Sequence, residues 1–419
     1  MTDSNKTLRV DEAKAAINAL LNRVTTMRRV ALRDALDQIL AEDILSPIDV
    51  PPHDNSAMDG YAFSGQSLQP ELPQTRLKIA GTVLAGQAYE GSVARGECVR
   101  IMTGAPMPAN CDTVIMQELT TTDAERTCVS FDSQAVRPGD NRRLRGEDLT
   151  RGKPALVAGK VLRPADLGLL ASIGIAEVPV YSKLRVAFFS TGDELRSLGQ
   201  VLDAGCIYDS NRYTLFGMLM RLRFIELIDL GVVQDSPEAL EAAMQRAADH
   251  ADVILTSGGV SVGEADFTKD VVEKLGSVNF WKIAMRPGRP MAFGLVNRTQ
   301  RGGQAVLFGL PGNPVAVMVT FYAFVREALY KLAGSIQGEL PVQNVKLAHD
   351  VRKKPGRTEY QRARIEWRDG QAYANLTGSQ GSGILRSMSD CDGLLLLTHD
   401  QGSLSAGDSA LFVPFEGLV

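Results

Sequence analysis

The segment Leu184-Arg-Val-Ala-Phe-Phe-Ser-Thr-Gly-Asp-Glu194 passes from an apolar run into a polar loop that contains glycine. A short apolar run that ends in turn residues is typical of a buried strand. The alternation of such runs with helical patterns continues to about residue 333. Strands separated by helices predict a mostly parallel sheet with helices on both faces, which is a three-layer α/β domain.

The rest of this domain follows the same pattern. A helix is predicted over Tyr213–Leu222, and another begins at Ser236-Pro237, where serine is a good N-cap and proline suits the first turn. The remaining predictions are strands over Phe224–Leu230, Asp252–Thr256, Phe280–Ala284 and Ala305–Gly309, and one helix over Asn313–Lys331.

The sequence on the N-terminal side predicts two different parts. Helical spacing predicts helices over Asp11–Asn22 and over residues 30–42, in an N-terminal helical or mixed domain. Short apolar runs such as Leu77–Val83 and Thr113–Met116 are interrupted by Gly, Pro and Asn. This pattern predicts a small β domain inserted into the N-terminal region.

After residue 334 short strands return, which predicts a small C-terminal β-barrel or sandwich. These strands are predicted over Val342–Leu347, Tyr360–Trp367, Ala372–Leu376, Gly393–Leu397 and Ala410–Val413. The predicted domains are a discontinuous N-terminal domain (1–48 and 145–183), the inserted β domain (49–144), the α/β domain (184–333) and the C-terminal β-barrel domain (334–419).

Composition excludes several classes of protein. The 419 residues include 45 basic and 49 acidic side chains, a balance that argues against a nucleic-acid or anionic-membrane binder. Five scattered cysteines without a CxxC pair, and four histidines, make a zinc site or a disulfide framework unlikely to be present. No apolar run approaches the ~18 residues that span a bilayer, and Met1–Val10 is polar, so we expect a cytoplasmic protein.

Polar groups are concentrated in a few loops. Asp54-Asn-Ser-Ala-Met-Asp-Gly-Tyr-Ala62 has no helical or strand period and predicts a shaped loop that forms a site. Ser190–Glu194 offers hydroxyls for an anion and a carboxylate for a metal, or is a polar turn. Thr256–Asp266 is rich in glycine and suits phosphate, although it matches neither a Walker A loop nor a GxGxxG fingerprint.

The other candidate loops are basic or begin a helix. Arg286-Pro-Gly-Arg-Pro290 suits an oxyanion or is a surface turn. Lys353–Arg362 covers an anion site or is a charged hairpin, and Arg142–Asp148 is a site or a solvated turn. Gly309-Leu-Pro-Gly-Asn-Pro314 makes a good helix start without any ligand.

Taken in order, these motifs resemble those of the molybdopterin molybdenumtransferases, the bacterial MoeA proteins, which are similar to the E domain of gephyrin. The resemblance extends from about residue 8 to the C-terminus. Its motifs are Asp54–Ala62, Ile101–Pro106, Arg145–Asp148, Ser190–Glu194, Ser257–Asp266, Arg286–Pro290 and Pro311–Pro314.

The resemblance implies a four-domain, elongated subunit that works as a homodimer with a composite active site. It implies a MogA-like α/β domain that binds adenylylated molybdopterin, the molybdopterin adenylate. Molybdate then enters, AMP is released with the help of Mg²⁺, and the dithiolene ligates molybdenum. A molybdopterin adenylyltransferase is a further implied partner.

The resemblance also implies roles for individual residues. Of the catalytic set, Asp59, Thr103 and Asp148 would face the α/β cleft of the other subunit. Glu194 and Asp266 would bind Mg²⁺ or position water, and Arg286, Arg289 and Arg357 would bind molybdate. The implied cofactor-binding residues are Ser190, Thr191, Gly192, Asp235, Ser257, Gly258, Gly259, Ser261, Pro311, Gly312 and Asn313.

The sequence departs from the family pattern at a few positions. Many relatives have lysine where this chain has Arg286 and Arg289, and often serine where it has Ala316. Two other functions use the same scaffold. A molybdopterin adenylyltransferase is disfavoured by the inserted domain and the Asp54–Ala62 loop. A non-enzymatic scaffold of the gephyrin E-domain type is disfavoured because no extended linker is present.

Overall fold

The structure, a computed structural model, describes residues 7–258, 267–300 and 302–416. The chain divides into two compact units. The larger unit comprises Met1–Glu42, Ala158–Pro164 and Glu177–Val419, and the smaller unit comprises Asp43–Val157 and Ala165–Ala176. Among the described helices, none has both the length and the apolar character needed to cross a lipid bilayer.

The elements up to residue 181 are mostly short strands. They are β1 (Thr7–Leu8), α1 (Val10–Leu20), β2 (Met27–Ala31), β3 (Ile44–Leu45), β4 (Asn55–Ser56), β5 (Gly60–Phe63), β6 (Gln74–Val83), β7 (Glu97–Ile101), β8 (Thr113–Met116), β9 (Thr120–Thr122), β10 (Cys128–Asp132), β11 (Arg142–Arg143), β12 (Pro154–Leu156), α2 (Pro164–Ser172) and β13 (Glu177–Tyr181).

The later elements alternate strand and helix before returning to strands. They are β14 (Leu184–Thr191), β15 (Leu195–Arg196), β16 (Ile207–Tyr208), α3 (Ser210–Met220), β17 (Ile225–Val233), α4 (Pro237–His250), β18 (Val253–Ser257), α5 (Phe267–Leu275), β19 (Gly276–Ile283), β20 (Met285–Arg286), β21 (Pro290–Asn297), β22 (Gln304–Leu310), α6 (Pro314–Thr320), α7 (Arg326–Ala333), β23 (Gln343–Leu347), β24 (Thr358–Arg368), β25 (Gln371–Leu376), α8 (Arg386–Ser389), β26 (Gly393–Leu397) and β27 (Ser409–Pro414).

The larger unit contains a seven-stranded sheet in the order β1-β19-β21-β22-β18-β14-β17. Strand β14 runs parallel to β17 and β18, and β18 runs parallel to β22. Val186 and Phe188 pack in a core with Leu215 of α3, whereas Ala187 and Phe189 pack in a separate core that includes Leu240 of α4. Because successive residues of a strand point to opposite faces, helices cover both faces of this sheet. The predicted three-layer, mostly parallel α/β domain is therefore confirmed.

Some predicted elements are wrong in type or extent. Residues 30–42 are not an α-helix, because β2 pairs with β13 and a short 3-10 turn follows at Leu32–Asp34. Buried Ile39 and Leu40 form bridges to Val161 and Val180, so tertiary pairing overrides the helical spacing.

The predicted helix over Asn313–Lys331 is interrupted. A π-helical segment at Phe321–Val325 separates α6 from α7. Strand β21 is not predicted by the sequence, and it pairs antiparallel with both β19 and β22. The β19–β21–β22 part of the sheet is therefore antiparallel, and no helix lies between these consecutive strands.

The C-terminal strands close into a five-stranded barrel. The order is β24-β25-β23-β27-β26, and pairing of β24 with β26 completes the ring. Its core includes Val345, Leu347, Leu395 and Phe412. Of the two predicted alternatives, a barrel or a sandwich, the barrel is present, and the short strand β20 adds to it beside β24.

The smaller unit contains a six-stranded sheet in the order β8-β5-β7-β6-β10-β9. Its core includes Phe63 and Phe131, whose ring centroids lie 5.6 Å apart.

The segment Asp54–Ala62, which the sequence predicts as a loop, is only partly a loop. It includes β4 near its start and the first residues of β5 at its end. Asp59 lies between these strands, directly before the first residue of β5. The four domain boundaries given above stay a prediction.

Candidate active site

An open cleft of about 930 Å³ lies in the larger unit, where the loops after β14, β18 and β22 meet. The carboxyl ends of parallel strands are the usual ligand-binding edge of such a sheet. The side chains and loops that line this cleft include Thr191, Gly192, Glu194, Asp235, Gly258, Arg286, Arg289, Pro311, Gly312, Asn313, Arg357, Gln380, Gly381 and Ser382.

Two hydroxyls predicted to contact the cofactor are held inside the protein. Ser190 is fully buried and its Oγ donates to Asp209 Oδ1 at 3.0 Å. Ser257 is also buried, and its Oγ accepts a hydrogen bond from Asn211 Nδ2 at 2.7 Å. In this arrangement the hydroxyls fix the strand ends, while the adjacent main chain at Thr191 and Gly258 borders the cleft.

The start of α3 holds the cleft floor together, a role that the sequence analysis missed. Asp209 is the N-cap of α3 and accepts a hydrogen bond from the Arg212 N–H at 3.2 Å. Asn211 Nδ2 also donates to the Gly312 carbonyl oxygen at 2.7 Å. Through these contacts one helix terminus joins the ends of β14 and β18 to the loop after β22. The available signal was Asp209-Ser-Asn directly before a helical pattern, which is a typical N-cap.

Replacement of Asn211 by alanine is expected to lower the free energy of unfolding by about 1–3 kcal/mol, because buried Ser257 and Gly312 acceptors lose their donor. Chemical denaturation with circular dichroism measures this loss. The matched control is Asn375→Ala, which removes a solvent-exposed hydrogen bond to Glu366 and should stay within about 0.5 kcal/mol of wild type. Equal stability of the two variants would contradict the bridging role of Asn211.

Glycine is required at two close approaches beside the cleft. Gly258 has φ +91°, and a Cβ there would collide with the Thr191 carbonyl oxygen. Gly288 also has φ +91°, and its Cβ would lie 2.5 Å from Thr320 Oγ1 of α6. Both positions combine a left-handed backbone with direct packing, so a larger residue would displace the cleft wall.

Carboxyl groups gather at the Asp193–Glu194 loop. Burial raises the pKa of Asp235, and the negative charges of Asp193 and Glu194 raise it further. Glu194 and Asp235 both line the cleft. In the described ranges no group of three or more His, Cys, Asp and Glu side chains is placed to hold a metal ion unaided.

Arginines from two segments lie in the same cleft. Arg286 and Arg289 are exposed side chains of the turn between β20 and β21. Arg286 pairs in register with Glu359 of β24, which brings the C-terminal barrel to this wall. Arg357 Nε donates to Glu359 Oε1 at 2.7 Å, and Gln361 Nε2 donates to Glu359 Oε2 at 2.8 Å. The buried Glu359 carboxylate therefore fixes the orientation of the Arg357 guanidinium at the cleft.

In the smaller unit, Asp59 and Thr103 are in direct contact. Asp59 Oδ1 accepts hydrogen bonds from the Thr103 main-chain N–H at 2.7 Å and from its hydroxyl at 2.8 Å. These bonds lower the pKa of Asp59, so the carboxylate is ionised at neutral pH. Asp148 is exposed, and its main-chain N–H donates to the Val50 carbonyl oxygen at 2.9 Å.

The structure therefore brings together most of the site residues expected from sequence in the larger unit. Asp59, Thr103 and Asp148 belong to the smaller unit. Gly259, Ser261 and Asp266 lie outside the described residues.

Three protein-family profiles match consecutive parts of the chain. The MoeA N-terminal region (domain I and II) matches residues 8–174, and a probable molybdopterin-binding domain matches residues 187–331. The MoeA C-terminal region (domain IV) matches residues 344–415.

Full-length relatives and a solved structure agree with these matches. The chain is 42% identical to the molybdopterin molybdenumtransferase of Haemophilus influenzae, over 98% of this chain and 100% of that protein. It is 33% identical to gephyrin of Dictyostelium discoideum, over 95% of this chain and 61% of that protein. The crystal structure of the molybdopterin biosynthesis moeA protein from Pyrococcus horikoshii superposes with a TM-score of 0.80 and 27% identity, over 98% of this chain and 100% of that chain. The chain belongs to the molybdopterin molybdenumtransferase family.

Proposed function

We propose that this protein inserts molybdenum from molybdate into adenylylated molybdopterin, with release of AMP. The observation that carries the proposal is one cleft, at the binding edge of the α/β sheet, that contains both an arginine group and a carboxylate group. The substrates carry phosphates and an oxyanion, and the reaction needs those charges to be held near each other. Membership of the transferase family supports the same reaction.

Molybdate is a dianion, and Arg286, Arg289 and Arg357 hold it by charge-assisted hydrogen bonds. The Glu359–Arg357 ion pair keeps one guanidinium in place before the anion arrives. The main chain at Gly258 and Pro311–Asn313 approaches the phosphates of the adenylylated substrate. Asn313 supports this role because it is the N-cap residue of α6 but makes no side-chain capping bond there. Gly259 and Ser261 extend the phosphate loop in this proposal.

Mg²⁺ fits the carboxylate side of the cleft. Burial raises the pKa of Asp235, and the negative charges of Asp193 and Glu194 add to the effect; a divalent cation would offset those charges. Mg²⁺ in proteins is often held by one or two carboxylates together with substrate phosphates. Glu194 and Asp266 hold the ion in this proposal, and Asp235 lines the same cleft as Glu194. The ion would stabilise negative charge on the phosphate that AMP carries away.

The family resemblance supports a homodimer with a composite site, to which the second subunit contributes Asp59, Thr103 and Asp148. The ionised Asp59 orients water or accepts a proton from it, and Thr103 holds one carboxylate oxygen so that the other stays available. Charge balance and five free cysteines support a cytoplasmic location, with no nucleic-acid partner and no membrane partner. A molybdopterin adenylyltransferase, as supplier of the adenylylated substrate, is the protein partner that suits this reaction.

A face of α3 supports the dimer. Tyr213, Phe216 and Met220 repeat at helical spacing and are 46%, 45% and 49% exposed. Phe216→Glu is expected to shift the protein from dimer to monomer in light scattering after size exclusion, because it places a charge in a desolvated contact. Trp367→Glu is the control, since Trp367 is 70% exposed on the barrel and should leave the dimer intact. A Phe216→Glu variant that stays dimeric would exclude this face from the interface.

The proposed reaction is tested by incubating the pure protein with adenylylated molybdopterin, Mg²⁺ and molybdate, and by measuring AMP. Molybdate-dependent AMP release is the expected result. Its absence would overturn the proposal. ATP-dependent adenylylation of molybdopterin would instead identify an adenylyltransferase, and tight pterin binding without turnover would identify a scaffold.

A further inference from the structure

Arg362 of β24 is the largest fully buried side chain in the described part of the protein. Its Nη2 donates to the carbonyl oxygens of Ser379 at 3.3 Å and Gly381 at 2.9 Å, and its Nη1 donates to that of Gln380 at 3.4 Å. Its Nε donates to Ser387 Oγ at 3.0 Å. None of these partners is a carboxylate, so the guanidinium charge is satisfied by hydrogen bonds but is not neutralised. A buried charge without a counter-ion is uncommon unless it has a function.

The loop that Arg362 holds is a wall of the cleft. Gln380, Gly381 and Ser382 line it, whereas Arg362 lies behind them. In a planar trans peptide the N–H points away from the preceding carbonyl. Because the carbonyls of residues 379–381 turn toward Arg362, the N–H groups of residues 380–382 turn away from it, toward the cleft side. Those N–H groups have no protein acceptor among the described residues.

Two more contacts fix this loop. The Gln380 side chain forms two hydrogen bonds with the main chain of β24. Its Oε1 accepts from the Arg362 N–H at 2.8 Å, and its Nε2 donates to the Arg362 carbonyl oxygen at 3.1 Å. The Ser382 carbonyl oxygen accepts from the Val315 N–H of α6 at 3.1 Å. The loop is therefore held between the barrel and the α/β domain, with its polar groups already oriented.

The positive charge of Arg362 acts on Arg286, which lines the cleft at the proposed molybdate site. Burial lowers the pKa of Arg362, Cys391 acts in the opposite direction, and the positive charge of Arg286 adds a smaller lowering. The two like charges repel each other across the cleft wall, and a bound dianion relieves that repulsion. Buried charges act strongly over such distances because little water screens them.

We propose that Arg362 is a positioning residue of the molybdate site: it orients the main chain of residues 379–382 toward the anion and adds buried positive charge behind them. The inference rests on the proposed function, because it assumes that this cleft binds molybdate. Arg362 itself touches neither substrate. Its removal should therefore change molybdate binding far more than binding of the pterin substrate.

The test measures molybdate binding by calorimetry with the full-length protein. Arg362→Met is expected to weaken molybdate binding at least about tenfold, because it removes the buried positive charge and releases the main chain of residues 379–382. The KM for molybdate should rise in parallel, while the KM for adenylylated molybdopterin changes less than about twofold. Arg362→Lys, which keeps the charge and loses the planar fork, should recover part of the affinity.

Controls separate this role from a general loss of structure. Arg368→Met makes the same substitution at an exposed position of the same strand and should bind molybdate as wild type does.

If Arg362→Met fails to fold, a second variant tests the same role. Gln380→Ala releases the loop while Arg362 keeps its carbonyl partners, and it should also weaken molybdate binding. Wild-type affinity in a folded Arg362→Met or Gln380→Ala variant would overturn the inference. Failure of the wild-type protein to bind molybdate would instead overturn the proposed function, and this inference with it.

Discussion

Replacing Arg286 by alanine is expected to raise the Kd for molybdate at least about thirtyfold, equivalent to ~2 kcal/mol, while binding of adenylylated molybdopterin changes little. Arg286 lies in the cleft on an exposed turn whose shape is set by Pro287, Gly288 and Pro290. Its guanidinium has no carboxylate partner among the described contacts, whereas that of Arg357 is paired with Glu359. Arg286 therefore contributes more unneutralised charge to a bound dianion than Arg357 does.

Two variants control this experiment. Arg286→Lys keeps the charge without the bidentate fork, and its affinity should fall between those of wild type and the alanine variant. Arg352→Ala removes an exposed arginine that does not line the cleft, and its affinity should equal that of wild type. Parallel losses of molybdate and pterin binding in Arg286→Ala would show that the turn shapes the whole cleft and has no specific role toward the anion.

The sequence predicted the α/β domain well because its inner strands β14, β18 and β22 are almost entirely buried. In β14, Val186 and Phe188 on one face, and Ala187 and Phe189 on the other, make the run Val186–Phe189 apolar. Such a run has few alternatives to a central parallel strand. The polar loops at the strand ends follow from the same argument, since the carboxyl ends of parallel strands meet at one edge.

Long-range pairing explains what the sequence could not predict. Residues 30–42 contain helically spaced apolar residues, but Leu40 is buried by a bridge to Val180, which lies far along the chain. Strand β21 contains Pro290 and two further turn-like signals, Gly294 and Asn297, so its pattern alone does not indicate a strand. Its place is determined by antiparallel pairing on both sides.

The candidate site likewise contains residues that a local sequence pattern reveals and residues that depend on long-range contacts. Arg286, Glu194 and Gly258 are recognisable because their loops are polar, basic or rich in glycine. Arg362 ends the basic segment Lys353–Arg362, but its role is not recognisable from the sequence, and neither is that of Asn211. One lies in a strand and the other in a helix, and each acts through main-chain acceptors distant in sequence. No local pattern encodes such partners.

Replacing Asp59 by asparagine is expected to reduce turnover at least about a hundredfold, a typical loss for a group that positions or deprotonates water. Asparagine keeps an oxygen that accepts both Thr103 hydrogen bonds, so the β4–β5 segment should keep its conformation. What changes is the second oxygen, which becomes an NH₂ group without negative charge. Steady-state AMP release measures the effect, and circular dichroism with light scattering checks folding and assembly.

Thr103→Val tests the positioning of the Asp59 carboxylate separately from its negative charge. It removes the hydroxyl that donates to Asp59 but leaves the main-chain donor, which is the larger influence on the pKa of Asp59. We expect a smaller loss of turnover than in Asp59→Asn, with the carboxylate still ionised at neutral pH. Wild-type turnover in Asp59→Asn would remove Asp59 from the mechanism.

A mixed dimer decides which subunit supplies Asp59. Differently tagged Asp59→Asn and Arg286→Ala chains can be expressed together and the heterodimer isolated. If each site takes Asp59 from one subunit and Arg286 from the other, the two changes fall in the same site and the second site is intact. The heterodimer should then recover about half of the wild-type turnover, because a two-fold symmetric dimer has two equivalent sites. If both residues come from one chain, each site carries one change, and at a molybdate concentration near the wild-type Kd the heterodimer should be no more active than the two parent variants.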